Sequence, residues 1–222
     1  MLTLAGKIEE SLSILTYALH NWRGSLAVAF SGGKDSLALL HLIRTLCGET
    51  VPMPVFSIDT TVKFPETIRF RDEIARLWDL DLIVLQNAAA AAKLKIGQDK
   101  KECCRLLKVV PLNRAIHRYR IKGLITAIRW DEQEMRSAEQ YLSPRRLPPH
   151  MRIHPLLHFT EADVWDYIRT FEVPYCPLYA LGYRSLSCMP CTEPPQPQSR
   201  ERAGRAAAKE IVMRDLRLLG YF

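Results

Sequence analysis

Three short stretches carry residue types at spacings that could do chemistry. Ser31-Gly32-Gly33-Lys34-Asp35-Ser36 sets two glycines, a lysine and two hydroxyls within six positions. Such a loop suits an anion: glycines let backbone N–H groups approach oxygen closely, Lys34 adds a point charge, and Ser31 and Ser36 add donors. It is not the G-x-x-x-x-G-K-[ST] pattern of enzymes that cleave between β- and γ-phosphates. The other two stretches are Cys103-Cys104 and Cys188-x-x-Cys191. A C-x-x-C alone leaves zinc and redox chemistry both open. Cys47 and Cys176 stand alone and read as packing residues. The plain alternatives are a glycine turn ahead of a helix for the loop and buried thiols for the pairs.

The elements that must position these residues follow from hydrophobic pattern. Leu4, Ile8, Leu12, Leu15 and Leu19 recur at helical spacing, and Ser25 to Phe30 is a short apolar run of the kind buried on both faces of a parallel sheet. The loop Ser31–Ser36 comes next, and Leu37, Leu39, Leu40, Leu42, Ile43 and Leu46 supply a helix after it. Further strands are expected at Pro54–Ile58, Leu82–Leu85 and Gly123–Ile128, with helices over Pro65–Leu77 and from Leu106 to His117. Strand alternating with helix predicts an α/β fold: an open parallel sheet with helices on both faces and right-handed crossovers. In such a sheet ligands sit beyond the carboxyl ends of the strands, where Ser31–Ser36 would lie.

Beyond Asp131 the pattern changes. Arg and Pro dominate Ser143–His150, Ile153–Leu157 reads as a short strand, and Thr160-Glu-Ala-Asp163 has the form of a capping box opening a helix through Tyr167. The division expected is a nucleotide-binding domain with the cysteines over 1–192, then a Pro-rich linker and a basic helix, Arg200 to Leu219, within 193–222. That helix could dock on a partner or pack on its own domain through Ile211, Leu216, Leu218 and Leu219.

Composition bounds the partners. Of 222 residues, 48% are apolar and 25% charged, the mixture of a globular domain. No apolar run approaches the roughly 18 to 20 residues of a bilayer span, and Lys7, Glu9 and Glu10 sit where a signal peptide needs its apolar centre. A cytoplasmic protein without membrane partners is expected, so the six cysteines argue for reduced thiols. Lys and Arg exceed Asp and Glu by 31 to 24, a formal +7 that suits nucleotide or DNA, although most basic surfaces are only solvated.

The loop Ser31-Gly-Gly-Lys-Asp-Ser36 resembles the pyrophosphate loop of the adenine-nucleotide α-hydrolase superfamily, whose fold is Rossmann-like. Ile58-Asp-Thr-Thr-Val-Lys-Phe-Pro-Glu-Thr-Ile-Arg-Phe-Arg-Asp72 is similar to the Asp-Thr-x-x-x-Phe-Pro-Glu stretch of the phosphoadenylylsulfate reductase family, which includes the small subunit of ATP sulfurylase. Thr126-Ala-Ile-Arg-Trp-Asp-Glu-Gln-Glu-Met-Arg-Ser137 resembles that family's Gly-x-Arg-x-x-Glu-x-x-x-Arg segment, with Ala127 in place of the glycine. The resemblance spans Ser25 to about Cys191. It implies an adenine nucleotide with phosphates at Ser31, Gly32, Gly33, Lys34, Asp35 and Ser36 and with ribose or base near Asp59 and Thr60. Arg129 and Arg136 would hold phosphate or sulfur-oxyanion groups; ion pairs with Glu132 or Glu134 are the alternative.

Glu102-Cys-Cys-Arg-Leu-Leu-Lys-Val-Val-Pro-Leu112 and Gly182-Tyr-Arg-Ser-Leu-Ser-Cys-Met-Pro-Cys-Thr192 resemble segments of the iron–sulfur adenylylsulfate reductases, Ser187 standing in for a glycine. The resemblance implies that Cys103, Cys104, Cys188 and Cys191 bind a [4Fe–4S] cluster, for which four thiolates are the usual complement. Those reductases attack the sulfonucleotide with a cysteine in a C-terminal Glu-Cys-Gly-Leu-His segment. Here Arg217-Leu-Leu-Gly-Tyr-Phe222 stands instead, and no cysteine follows Cys191.

The leading expectation is therefore an ATP pyrophosphatase or adenylyltransferase. It would cleave ATP between its α- and β-phosphates with Mg²⁺, and Lys34, Ser36, Arg129 and Arg136 would act on the phosphates. Loop plus cluster resembles the ATP pyrophosphatase components of DNA phosphorothioation systems, implying DNA as acceptor, a cysteine desulfurase or other sulfur donor, and a homo-oligomer or multiprotein complex. Two alternatives are kept. One is an adenylylsulfate or phosphoadenylylsulfate reductase whose nucleophile is Cys176 or comes from another chain; the other is a non-catalytic cluster-carrying subunit of a sulfurtransferase assembly.

Overall fold

The computed structural model describes residues 2–194, 201–205, 211 and 213–218. Six strands form one sheet: β1 Leu26–Ala29, β2 Val55–Ile58, β3 Leu82–Leu85, β4 Gly123–Ile125, β5 Leu142–Arg146 and β6 Pro149–Ile153. Their order is β3-β2-β1-β4-β6-β5, all pairs parallel except the β5–β6 hairpin at one edge. The order reverses direction at β1, between β2 and β4, which is where an open α/β sheet leaves a crevice for a ligand.

Side chains along β1 alternate between two cores. Leu26 and Val28 join α1 (Leu4–Asn21), α2 (Lys34–Leu46), α3 (Pro65–Leu77) and, later in the chain, α7 (Glu161–Thr170) on one face. Ala27 faces Leu112, Ala115 and Ile116 of α6 (Val110–Arg118) on the other. This two-sided burial is why the strand reads as an unbroken apolar run, each fully buried Leu or Val stabilising by about 1.5 to 3 kcal/mol. Gly123 opens β4 because a Cβ there would lie 2.7 Å from Leu26 Cδ2 and 3.1 Å from Ile153 Cδ1. Thr160 and Asp163 form the expected capping box of α7, and Asp163 also pairs with Lys7 of α1 at 2.5 Å.

Two expectations need correction. The short strand expected at Ile153–Leu157 lies at Pro149–Ile153, and its partner β5, the edge strand, falls largely in the Arg- and Pro-rich stretch, where no strand was expected. A buried carboxylate makes this possible: Glu139 accepts from Ser143 Oγ at 2.7 Å, Arg145 Nη2 at 3.1 Å and Arg217 Nε at 2.5 Å. Burial works to raise the Glu139 carboxyl, but Ser143, Arg217 and Arg145 hold it down at about 2. Likewise residues 201–205, expected to open the C-terminal helix, form a turn closed by a bridge between Thr192 and Arg205. Helix is described over α8, Met213–Leu218, where Leu216 is buried beside Cys104, Ile128 and Leu157. Arg200, Leu219 and most of the expected linker lie outside the described residues. Among the described residues no helix is long and apolar enough to cross a membrane.

The cysteine-bearing part is built from short pieces. A single turn, α4 (Ala88–Ala91), precedes α5 (Lys100–Cys104), which continues as a π-helical turn over Arg105–Val109 into α6. A π-turn shifts the side chains after it around the helix, and such turns gather at functional sites. It turns Lys108 toward the loop that carries Cys188.

Candidate active site

The Ser31–Ser36 loop leaves β1 and opens α2. Gly32 has φ +84°, and a Cβ there would lie 2.7 Å from Thr67 Cγ2, so both conformation and space require glycine. The two serines tie the loop to itself: Ser36 Oγ donates to Gly33 O at 2.9 Å and accepts from Ser31 N at 3.2 Å. Gly33 N donates to Ser31 Oγ at 3.2 Å, and Lys34 N donates to the Tyr179 hydroxyl at 2.9 Å.

Lys34 and Arg129 come together, but behind the loop, with side chains 1% and 0% exposed. Lys34 Nζ meets Asp35 Oδ2 at 3.2 Å and Glu201 Oε1. Arg129 meets Asp35, Asp131 Oδ1 at 2.9 Å and Glu201 Oε2 at 2.5 Å. Burial would raise the Glu201 carboxyl, yet the charges of Lys34 and Arg129 hold it below the usual carboxylate range. Arg136 pairs with Glu132. Asp59 accepts from Thr61 N at 2.8 Å and Gln86 Nε2 at 2.9 Å, whereas Thr60 points to the cysteines.

A pocket opens over the strand ends in front of the loop. Its floor is apolar, with Ala29, Phe56, Ile58, Leu112 and Ala127, and Ser31, Gly33, Asp35 and Ser36 form one wall. Among the described residues six cations face it, Lys63, Lys108, Arg136, Arg152, Arg202 and Arg205, against two carboxylates, Asp35 and Glu132. An apolar floor under an excess of cations suits a flat aromatic group carrying an anion. Arg205 donates to Ser185 Oγ and, at 2.6 Å, to Leu186 O. Arg152, fully buried, is pushed down to about 9 by burial and by Arg145, and its Nε lies 2.8 Å from His150 Nε2. Lys63 Nζ donates to Ser31 O at 3.2 Å; burial and the Lys108 charge push it down to about 8.

The four expected cysteines line one small cavity beside this pocket, with Thr60, Lys100 and Lys108. The segment bearing Cys188 is zipped onto the loop after β2 by a backbone bridge between Lys63 and Cys188 and by Met189 N donating to Val62 O at 2.8 Å. Cys188 and Lys108 belong to both cavities. Burial, and then the nearby sulfurs of Cys104, Cys188 and Cys191, push the Cys103 thiol up. Among the described residues no three His, Cys, Asp or Glu side chains converge closely enough to hold one metal ion. Four thiols on one cavity are the donor set that a four-thiolate iron–sulfur cluster takes. Cys176 is 1% exposed in the main core, and Cys47 caps the far end of α2.

Sequence reading missed Lys63, Lys108, Arg152, Tyr179, Arg202, Arg205 and Glu201. Lys63 and Lys108 lie within the quoted Ile58–Asp72 and Glu102–Leu112 segments and were within reach of those patterns; single cations elsewhere carry no periodic signal.

Comparison with known proteins adds a family. Residues 25–194 match the model of the phosphoadenosine phosphosulfate reductase domain. The chain is 31% identical to an adenosine 5'-phosphosulfate reductase of Salinibacter ruber, over 87% of this chain and 78% of that one. A protein of the same name from Chelativorans is 32% identical over 88% and 80%. The 5'-adenylylsulfate reductase 1 of Arabidopsis thaliana is 33% identical over 93% of this chain and 49% of that one. In fold, a phosphoadenylyl-sulfate reductase of Candida auris superimposes with a TM-score of 0.69 at 21% identity, covering 85% of this chain and 97% of that one. The FMN adenylyltransferase of Candida glabrata does so with 0.72 at 21%, covering 86% and 64%. The reductase names overturn the expectation of an α,β-cleaving ATP pyrophosphatase serving DNA phosphorothioation. Lys34 and Arg129, which that expectation gave to the phosphates, pair here with carboxylates of the chain itself.

Proposed function

Because the chain belongs to the phosphoadenosine phosphosulfate reductase domain family, we propose that it binds an adenosine 5'-sulfonucleotide and supports reductive release of its sulfonyl group as sulfite. The carrying observation is the shared wall: Cys188 and Lys108 line both the pocket with an apolar floor and the four-cysteine cavity. Adenine lies on Phe56, Ile58 and Leu112, and the phosphate and sulfonyl oxygens face Lys63, Lys108, Arg202 and Arg205.

Chemistry at such a group begins with a thiolate attacking the sulfonyl sulfur. The S–O bond to the phosphate breaks, and AMP leaves with the electron pair. A second thiolate then attacks the sulfur of the first thiol, forming a disulfide and releasing sulfite. Two thiols are thereby oxidised and one S(VI) centre is reduced to S(IV). The cations hold the sulfonyl oxygens and stabilise charge that grows on the leaving phosphate.

Cys176 is unsuited to the attack, since it is enclosed in the core and burial pushes its thiol up. Cys47 lies a thirteen-residue helix away, about 20 Å. The attacking thiols are assigned to a source outside residues 1–222, for which a partner dithiol protein is the candidate. Cys103, Cys104, Cys188 and Cys191 are assigned to a [4Fe–4S] cluster, which when bound supplies a redox-capable group at the shared wall.

Titration calorimetry with adenylyl sulfate and with AMP tests the assignment. Adenylyl sulfate should bind at least about tenfold more tightly, because the sulfonyl oxygens add charge-assisted hydrogen bonds. Equal affinities would remove the sulfonyl group from the site.

A further inference from the structure

The Ser31–Ser36 loop has the residues of a pyrophosphate cradle, yet its two buried cations are already matched. Lys34 and Arg129 carry two positive charges, and Asp35, Asp131 and Glu201 bring three negative ones to them. Glu201 differs from the other two carboxylates. It stands 167 residues from Lys34 and 72 from Arg129 along the chain, and its two oxygens are divided between them, Oε1 to Lys34 and Oε2 to Arg129. A carboxylate spanning two buried cations makes the contacts that two oxygens of a phosphate would make.

We infer that Glu201 is a specificity-determining residue: its carboxylate fills the inner anion subsite of the loop, so that the pocket accepts a nucleotide with one phosphate and excludes pyrophosphate and nucleoside triphosphates. This rests on the sulfonucleotide reading for the identity of the accepted ligand, but the exclusion of pyrophosphate stands on the geometry of Glu201 alone.

The turn that carries Glu201 sorts charge. Glu201 points inward to Lys34 and Arg129, while Arg202 and Arg205 face the outer pocket. Its backbone is fixed by Glu193 N donating to Gly204 O at 2.8 Å and by the Thr192–Arg205 bridge, and its Arg205 side chain by Leu186 O at 2.6 Å. Two N–H groups at the start of α2 are engaged as well, Gly33 N by Ser31 Oγ and Lys34 N by Tyr179. An incoming pyrophosphate therefore meets a carboxylate at the inner subsite, whereas Lys63, Lys108 and Arg205 line the outer pocket, to which Lys34, Arg129 and Glu201 do not belong. Burial makes this decisive, because charge repulsion away from water is screened little.

The test is equilibrium binding of inorganic pyrophosphate and of AMP to the full chain and to Glu201→Gln and Glu201→Asp. Glu201→Gln should bind pyrophosphate at least tenfold more tightly than the parent, since the ligand then supplies the negative charge that Lys34 and Arg129 have lost. Glu201→Asp keeps the charge and should gain less than threefold. Unchanged pyrophosphate affinity in a folded Glu201→Gln, or an equal gain in both variants, would overturn the inference. Should Glu201→Gln not fold, the parent protein decides: pyrophosphate binding no tighter than orthophosphate supports the inference, and pyrophosphate binding tighter than AMP refutes it. Failure of the parent to bind AMP or adenylyl sulfate would count against the sulfonucleotide reading and leave the pyrophosphate comparison in force.

Discussion

The Thr60 hydroxyl lies 3.2 Å from the Cys188 sulfur, joining the end of the second strand to the C-x-x-C segment across 128 positions of sequence. Together with the backbone bridge between Lys63 and Cys188, it fixes the thiol cavity against the pocket, and Cys188 and Lys108 line both.

Protein purified without oxygen should contain about four irons per chain and absorb broadly in the visible range. Serine at Cys103, Cys104, Cys188 or Cys191 should each remove most of the iron, whereas serine at Cys47 or Cys176 should leave it in place. Metal analysis of the six variants checks this; equal loss in all six would mean that the ligand set is wrong.

Lys108 Nζ donates to Ser187 Oγ at 3.3 Å and lines both cavities. Lys108→Ala should weaken adenylyl sulfate binding by roughly ten- to a hundredfold, the worth of one hydrogen bond to a charged group, and weaken AMP by less. Calorimetry with both ligands measures the difference. Parallel losses for the two would place Lys108 at the phosphate rather than the sulfonyl end.

Acid should destabilise the β5–β6 edge. Burial, then Arg152, pushes His154 down to about 3, and burial, then Arg152, pushes His150 down to about 4. Both imidazoles are neutral in the folded state, so below pH 6.5 the unfolded chain binds more protons and stability falls as pH falls. For His154 the loss at pH 5 is about 2 kcal/mol relative to pH 7.5. Glu139, held at about 2, adds its own loss only at lower pH, below its unfolded value near 4.5. Denaturant unfolding at both pH values measures it, with His154→Asn removing the His154 share and leaving that of His150; a flat profile between pH 7.5 and 5 would mean that neither imidazole is buried neutral.

The sheet was legible where burial is apolar. Leu26–Ala29, Val55–Ile58 and Leu82–Leu85 announce themselves as apolar runs, and the capping box at Thr160 marks its helix. The β5–β6 hairpin hid because its buried face holds Ser143, His150 and Arg152, made tolerable by a network around Glu139 that no periodicity reveals. In the site, the loop and the cysteine pairs were legible because their spacing is chemical. What they bind was less so: whether Lys34 is available to a phosphate depends on Glu201, 167 positions away, and such a pairing is visible only after folding.

The most direct measurement puts adenylyl sulfate and ATP together with the anaerobic protein, Mg²⁺ and a reduced dithiol protein such as thioredoxin, and follows the products. Sulfite and AMP should appear in equal amounts, with no pyrophosphate released. Pyrophosphate from ATP with adenylyl sulfate left intact would contradict the account.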